Sequence, residues 1–135
     1  MIKSLILAST IVCLVGCGGS DQDDSGYFSD FTIENNSNYP LKVEYSLPSA
    51  SGDETESEEI DIAETVNFYS AFDMASKIDY APSPESTFSE MDIYVYLNDS
   101  YVLSYSVDSN SEWSKRIEND RTIYTLSVSD ADLEL

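Results

Sequence analysis

Carboxylates are the one reactive group this chain holds in quantity: 26 Asp and Glu stand against six Lys and Arg, and there is no histidine in the 135 residues. A carboxylate pair can cleave a glycosidic bond, one member acting as acid and the other as base or nucleophile. Such a pair needs a pocket that perturbs one acid, and at this density neighbouring carboxylates arise by chance. Without imidazole the chain lacks the usual general base and the commonest transition-metal ligand. All five glycines lie at or before position 52, so the remainder has neither a Gly-rich phosphate cradle nor a nucleophile elbow. The expectation is a protein without catalytic function.

Calcium is the ion that suits such a sequence, since it is held by six to eight oxygens. Asp21-Gln22-Asp23-Asp24-Ser25-Gly26 matches the first half of an EF-hand loop, but Thr32 stands where the bidentate glutamate belongs. Asp108, Asn110 and Glu112 form a second oxygen cluster, and Asp53, Glu54, Glu56, Glu58, Glu59 and Asp61 form a third. Acidic runs are usually solvated. Calcium is therefore a candidate, with Asp21, Asp23, Asp108, Asn110 and Glu112 as its candidate ligands, and no other cofactor is expected.

The two cysteines, Cys13 and Cys17, lie at the end of an apolar stretch running from Leu5 to Gly16 behind Lys3. That stretch has the length of a signal-peptide core and falls short of the roughly 20 residues of a membrane-spanning helix. With Leu14-Val15-Gly16-Cys17 at its end, the segment resembles the export signal of bacterial lipoproteins. The resemblance implies a diacylglyceryl group on the Cys17 sulfur, cleavage before Cys17 and acylation of the new amino terminus. It also implies an outer-membrane destination, because Gly18 replaces the aspartate that commonly signals inner-membrane retention. The acidic residues that follow resemble the tethers some bacteria use for surface display, so the surface-exposed and periplasmic faces both stay open. Acyl chains at about 0.8 kcal/mol per buried methylene would hold the protein to the membrane permanently.

The expected organisation is a cleaved segment 1–16, a lipidated cysteine with an acidic flexible tether over 17–26, and one domain over 27–135. Every acid and every cation except Lys3 falls after residue 16. Such a negative domain excludes nucleic acid as a partner and favours basic proteins or cations. With Cys13 removed and Cys17 acylated, an exported domain would have no disulfide to lean on.

Period-two alternation runs through the domain and reads as half-buried strands. Phe31 and Ile33 share one face, and Leu41, Val43, Tyr45 and Leu47 the next. Pro48 to Ser57 reads as a loop. Ile60, Ile62, Val66, Phe68 and Phe72 follow on even positions, as two short strands or one bent strand. Residues 73–90 are irregular, with room for a short helix over 72–77. Met91, Ile93, Val95 and Leu97 then face Tyr101, Leu103, Tyr105 and Val107 across a connection read as Asn98-Asp99-Ser100, three residues, which puts both rows on one side. Tyr94, Tyr96 and Val102 fall on the other side. A last strand carries Tyr124, Leu126 and Val128 inward. About seven strands with little helix predict an all-β fold, a small antiparallel immunoglobulin-like β-sandwich.

Tyr94 and Tyr96 are a candidate binding surface, since displayed tyrosines stack on sugars or anchor proteins. Trp113, near Lys115, Arg116 and Arg121, is a further candidate, although tryptophans more often fill cores. The function expected is that of a lipid-anchored, non-catalytic binding or structural module at the outer membrane or cell surface. One alternative is a periplasmic inhibitor or immunity protein against a basic toxin or wall-degrading enzyme, docking through the acidic stretch from Asp53 to Asp61. Another is a calcium-dependent carbohydrate-binding module. Its partners would be the membrane, through acyl chains on Cys17, and a basic protein or a glycan.

Overall fold

A computed structural model describes residues 26–74 and 77–135. Residues 1–16, where cleavage is expected, Cys17 and the candidate ligands Asp21 and Asp23 lie outside the described residues. Among the described residues run eight strands: β1 (Tyr27–Asn36), β2 (Leu41–Leu47), β3 (Glu54–Ile60), β4 (Thr65–Asp73), β5 (Glu90–Leu97), β6 (Ser100–Ser106), β7 (Ser114–Glu118) and β8 (Arg121–Ser129). They form two four-stranded sheets, in the orders β4-β1-β8-β7 and β3-β2-β5-β6. The protein is a small all-β sandwich.

The alternating rows become the core. Phe31 and Ile33 from β1, Leu41, Val43 and Tyr45 from β2, Met91, Ile93 and Val95 from β5, and Tyr124, Leu126 and Val128 from β8 are all buried between the sheets. Burial of that apolar area, at about 25 cal/mol per Å², is the main drive to fold. Phe31 lies at its centre, stacked on Tyr124 at 5.5 Å and met edge-on by Phe88 at 4.9 Å. Asn35, also fully buried, donates from Nδ2 to the carbonyls of Tyr39, Ile60 and Asp61 and accepts from the backbone and hydroxyl of Ser37. One side chain thereby joins the β1–β2 turn to the β3–β4 turn.

Four features depart from the sequence expectation. First, there are eight strands, because β7 and most of β3 carry no apolar alternation. Both are edge strands, and strands with no covered face have no inward row to display. The supposed loop before Ser57 already pairs with β2 from Glu54 onward. Glu54, Glu56 and Glu58 lie opposite Leu47, Tyr45 and Val43, on the core-facing side, yet remain exposed. Inward-pointing charge of this kind blocks edge-to-edge aggregation.

Second, the sandwich is not wholly antiparallel. β1 and β8 run parallel, from Phe28 opposite Arg121 to Asn36 opposite Ser129. Third, two bulges change which face a side chain occupies. In β4 the extra residue is Phe68, after which Tyr69 pairs with Phe31 and Phe72 with Phe28, so Phe72 turns outward instead of continuing the Phe68 row. In β6 the extra residue is Ser104. Each bulge is tied down, by the Tyr45 hydroxyl donating to the Phe68 carbonyl at 3.3 Å and by the Glu134 N–H donating to Ser104 Oγ at 2.8 Å. Fourth, β4 continues through Phe72 to Asp73, and the helical turns come later, at Ile78–Tyr80 and Pro84–Thr87.

Candidate binding face

The β5–β6 connection decides what the outer face of the second sheet displays. Leu97 pairs with Ser100, leaving only Asn98 and Asp99 in the turn, at φ of 50° and 66°. That is a two-residue hairpin with both central residues left-handed, a conformation that suits the twist of the strands and that Asn and Asp tolerate. The expected three-residue connection is thus corrected. With two residues, Tyr101 pairs with Tyr96 and Leu103 with Tyr94, on the outer face, while Val102 pairs with Val95 on the other. Only beyond the Ser104 bulge does Tyr105 return to the inner side, opposite Ile93.

Tyr94 and Tyr96 are therefore joined by Tyr101 and Leu103, and Val102 is not beside them. Lys42 on β2, opposite Tyr94 in register, completes the group. Its ammonium lies 4.7 Å from the Tyr94 ring centroid and 5.0 Å from that of Tyr101, within the range of cation–π attraction. Tyr96 and Tyr101 meet edge to face at 5.1 Å. Glu44 pairs with Lys42 at 3.4 Å. Burial, then the neighbouring Glu44, raises the pKa of the Tyr94 phenol, and burial with Glu59 and Asp61 raises that of Tyr101. Both hydroxyls stay protonated and able to donate. Tyr96 remains 39% exposed and Leu103 51%, so the face offers an aromatic surface with a cation and carboxylates around it. Chemically it can stack and hydrogen-bond.

Trp113 lies elsewhere, between the sheets, 5.9 Å from the Phe31 ring and 6.3 Å from that of Phe68. It is 7% exposed, and its Nε1 has no hydrogen-bond partner among the described residues. With Phe88 and Met91 it lines a groove of ≈ 570 Å³ whose other walls include Glu90, Asp92 and Asp108. Tryptophan and the two tyrosines do not form one surface.

The second candidate calcium cluster is engaged in local structure. Glu112 Oε2 accepts from the backbone N–H groups of Asp108 and Ser109 at 2.8 and 3.2 Å. Asn110 exchanges hydrogen bonds with Glu85, accepting from its N–H at 2.9 Å and donating to its carboxylate. Among the described residues no three His, Cys, Asp or Glu are grouped to hold a metal ion, and no helix is long and apolar enough to cross a membrane.

Lys42 and Tyr101 were not legible as site residues. The Asn-Asp pair at 98–99 is the signal that could have found Tyr101, since it marks a two-residue turn and hence the Tyr96–Tyr101 register. Lys42 enters the group only through the pairing of β2 with β5. Compared with family models, with curated proteins and with solved structures, the chain has no significant match.

Proposed function

We propose that this protein is a lipid-anchored, non-catalytic binding module of the bacterial cell envelope, attached to the outer membrane through acyl chains on Cys17, and that it binds glycan through the Tyr94, Tyr96, Tyr101 and Lys42 face. The observation that carries the reading is the grouping of three tyrosines and one lysine on a sheet face left partly exposed among the described residues of a strongly acidic chain. Sugars present an apolar C–H face ringed by hydroxyls, and a tyrosine platform flanked by Lys42, Glu44 and Glu59 complements both parts. The resemblance of Leu14-Val15-Gly16-Cys17 to a lipoprotein signal supports the anchor, and the absence of histidine and of a free thiol in residues 18–135 supports a role in binding over catalysis.

The test compares the full-length acylated chain with its Tyr96→Ala, Tyr101→Ala variant for retention on polysaccharide isolated from the envelope of the expressing cell. Retention by the parent and its loss in a folded variant is the expected result. Equal behaviour of the two removes the tyrosine face from the proposal. Protease treatment of intact cells, with a periplasmic control protein, then decides between surface display and the periplasmic face.

A further inference from the structure

Of the large apolar side chains left exposed by the fold, Phe28 and Phe72 meet at one end of the sandwich, and Met74 and Tyr80 belong to the β4–β5 connection that starts from that end. Phe28 and Phe72, 41% and 46% exposed, are paired in register with ring centroids 4.8 Å apart. The Arg121 guanidinium lies 4.5 Å from the Phe28 ring. Met74 follows the end of β4, and Tyr80 sits two residues before Pro82, whose carbonyl accepts from Ser29 Oγ near the start of β1. Clusters of this kind mark a surface that meets something.

Chain direction says what that is. Gly26 has φ of +67°, and a Cβ there would lie 2.6 Å from Phe72 Cζ and 2.5 Å from the Asp73 carbonyl. Gly26, which continues toward Cys17 in sequence, therefore sits hard against the Phe72 ring. From Cys17 to Gly26 the chain can reach at most about 30 Å, the limit set by its length. A bilayer holding the acyl chains would always be within reach of this end. Tyrosine and an arginine head settle at an apolar–water boundary, and phenylalanine buries at the junction of headgroups and acyl chains.

We propose that the Phe28–Phe72–Met74–Tyr80 end rests on the bilayer that anchors Cys17, with these side chains at headgroup level. The proposal rests on the reading of Cys17 as the lipid anchor. It sets the orientation of the domain. β1 rises from Tyr27 to Asn36, roughly 30 Å at 3.3 Å per residue, and Tyr96, whose N–H donates to the Pro40 carbonyl, sits at the far end. The tyrosine face is thereby held away from the membrane.

The experiment uses the full acylated chain in phosphatidylcholine vesicles whose acyl chains are brominated near the headgroup. Phe72→Trp, Tyr80→Trp and, as control, Tyr96→Trp are compared with the parent, whose Trp113 is buried. Loss of most of the emission added at 72 and 80, with emission added at 96 unaffected, is the expected result. If mass spectrometry finds acyl chains on Cys17 yet the emission at 72 and 80 is untouched, the proposal is overturned and the anchor stands. If that emission changes instead with protein density on the vesicles, a second copy covers the patch and the proposal is again overturned. A Cys17 without acyl chains overturns both.

Discussion

Arg121 grips Asp30 with two hydrogen bonds, Nε to Oδ2 at 2.8 Å and Nη2 to Oδ1 at 2.6 Å, across the parallel pairing of the first and last strands. Ser70 on β4 adds a third bond to Oδ1 at 2.6 Å. Asp30 thus links three neighbouring strands of one sheet. The Arg121 hydrogen bonds hold its carboxyl below the ordinary value of 3.8, with burial opposing and Ser70 assisting.

Asp30→Asn should cost about 2 kcal/mol, the usual loss when a hydrogen bond to a charged partner is removed. A depressed carboxyl contributes stability above its unfolded pKa, and that contribution disappears as pH falls through the folded value. Parent and variant should therefore differ at neutral pH and converge in acid below the ordinary carboxylate range. Urea midpoints as a function of pH measure this, and a gap that stays constant into strong acid would contradict it.

Asn35→Ala should be more damaging, by about 3 kcal/mol, because it strands several buried backbone groups at once. The carbonyl of Ile60 and the N–H of Ser37 both lose a partner. Chemical denaturation checks the magnitude. A loss below 1 kcal/mol would show that water replaces the amide.

Glu56→Val with Glu58→Val should leave the melting temperature nearly unchanged and make the protein aggregate. These side chains are exposed and lie on the inward side of edge strand β3, so they add little to packing and much to edge protection. Light scattering at rising concentration is the readout. A variant as soluble as the parent would refute the protective role.

Asp99→Gly should stabilise the chain by about 0.5 kcal/mol, since glycine takes φ of 66° without the Cβ penalty. Thermal unfolding of the variant would show a higher midpoint. A lower one would mean that the Asp99 side chain supports the hairpin turn.

Period-two patterning determined the all-β class and most of the core, because branched side chains at Ile33, Val43, Ile93 and Leu126 must leave water whichever strands they pair with. It also marked Tyr94 and Tyr96 as outward. What alternation could not carry was anything set by a neighbouring strand. β7, and β3 before Ile60, have no buried row and so left no apolar signal. The Phe68 and Ser104 bulges reverse a strand's faces without leaving a mark in its own residues, which is why Phe72 stands outside and Tyr105 inside. Asn98 and Asp99 fixed the hairpin register through backbone angles that hydrophobicity does not report. Lys42 met Tyr94 and Tyr101 only when β2 aligned with β5, and Arg121 met Asp30 only when the two ends of the domain came together in parallel. Local chemistry sorted side chains into wet and dry, and pairing between distant segments decided which of the wet ones share a surface.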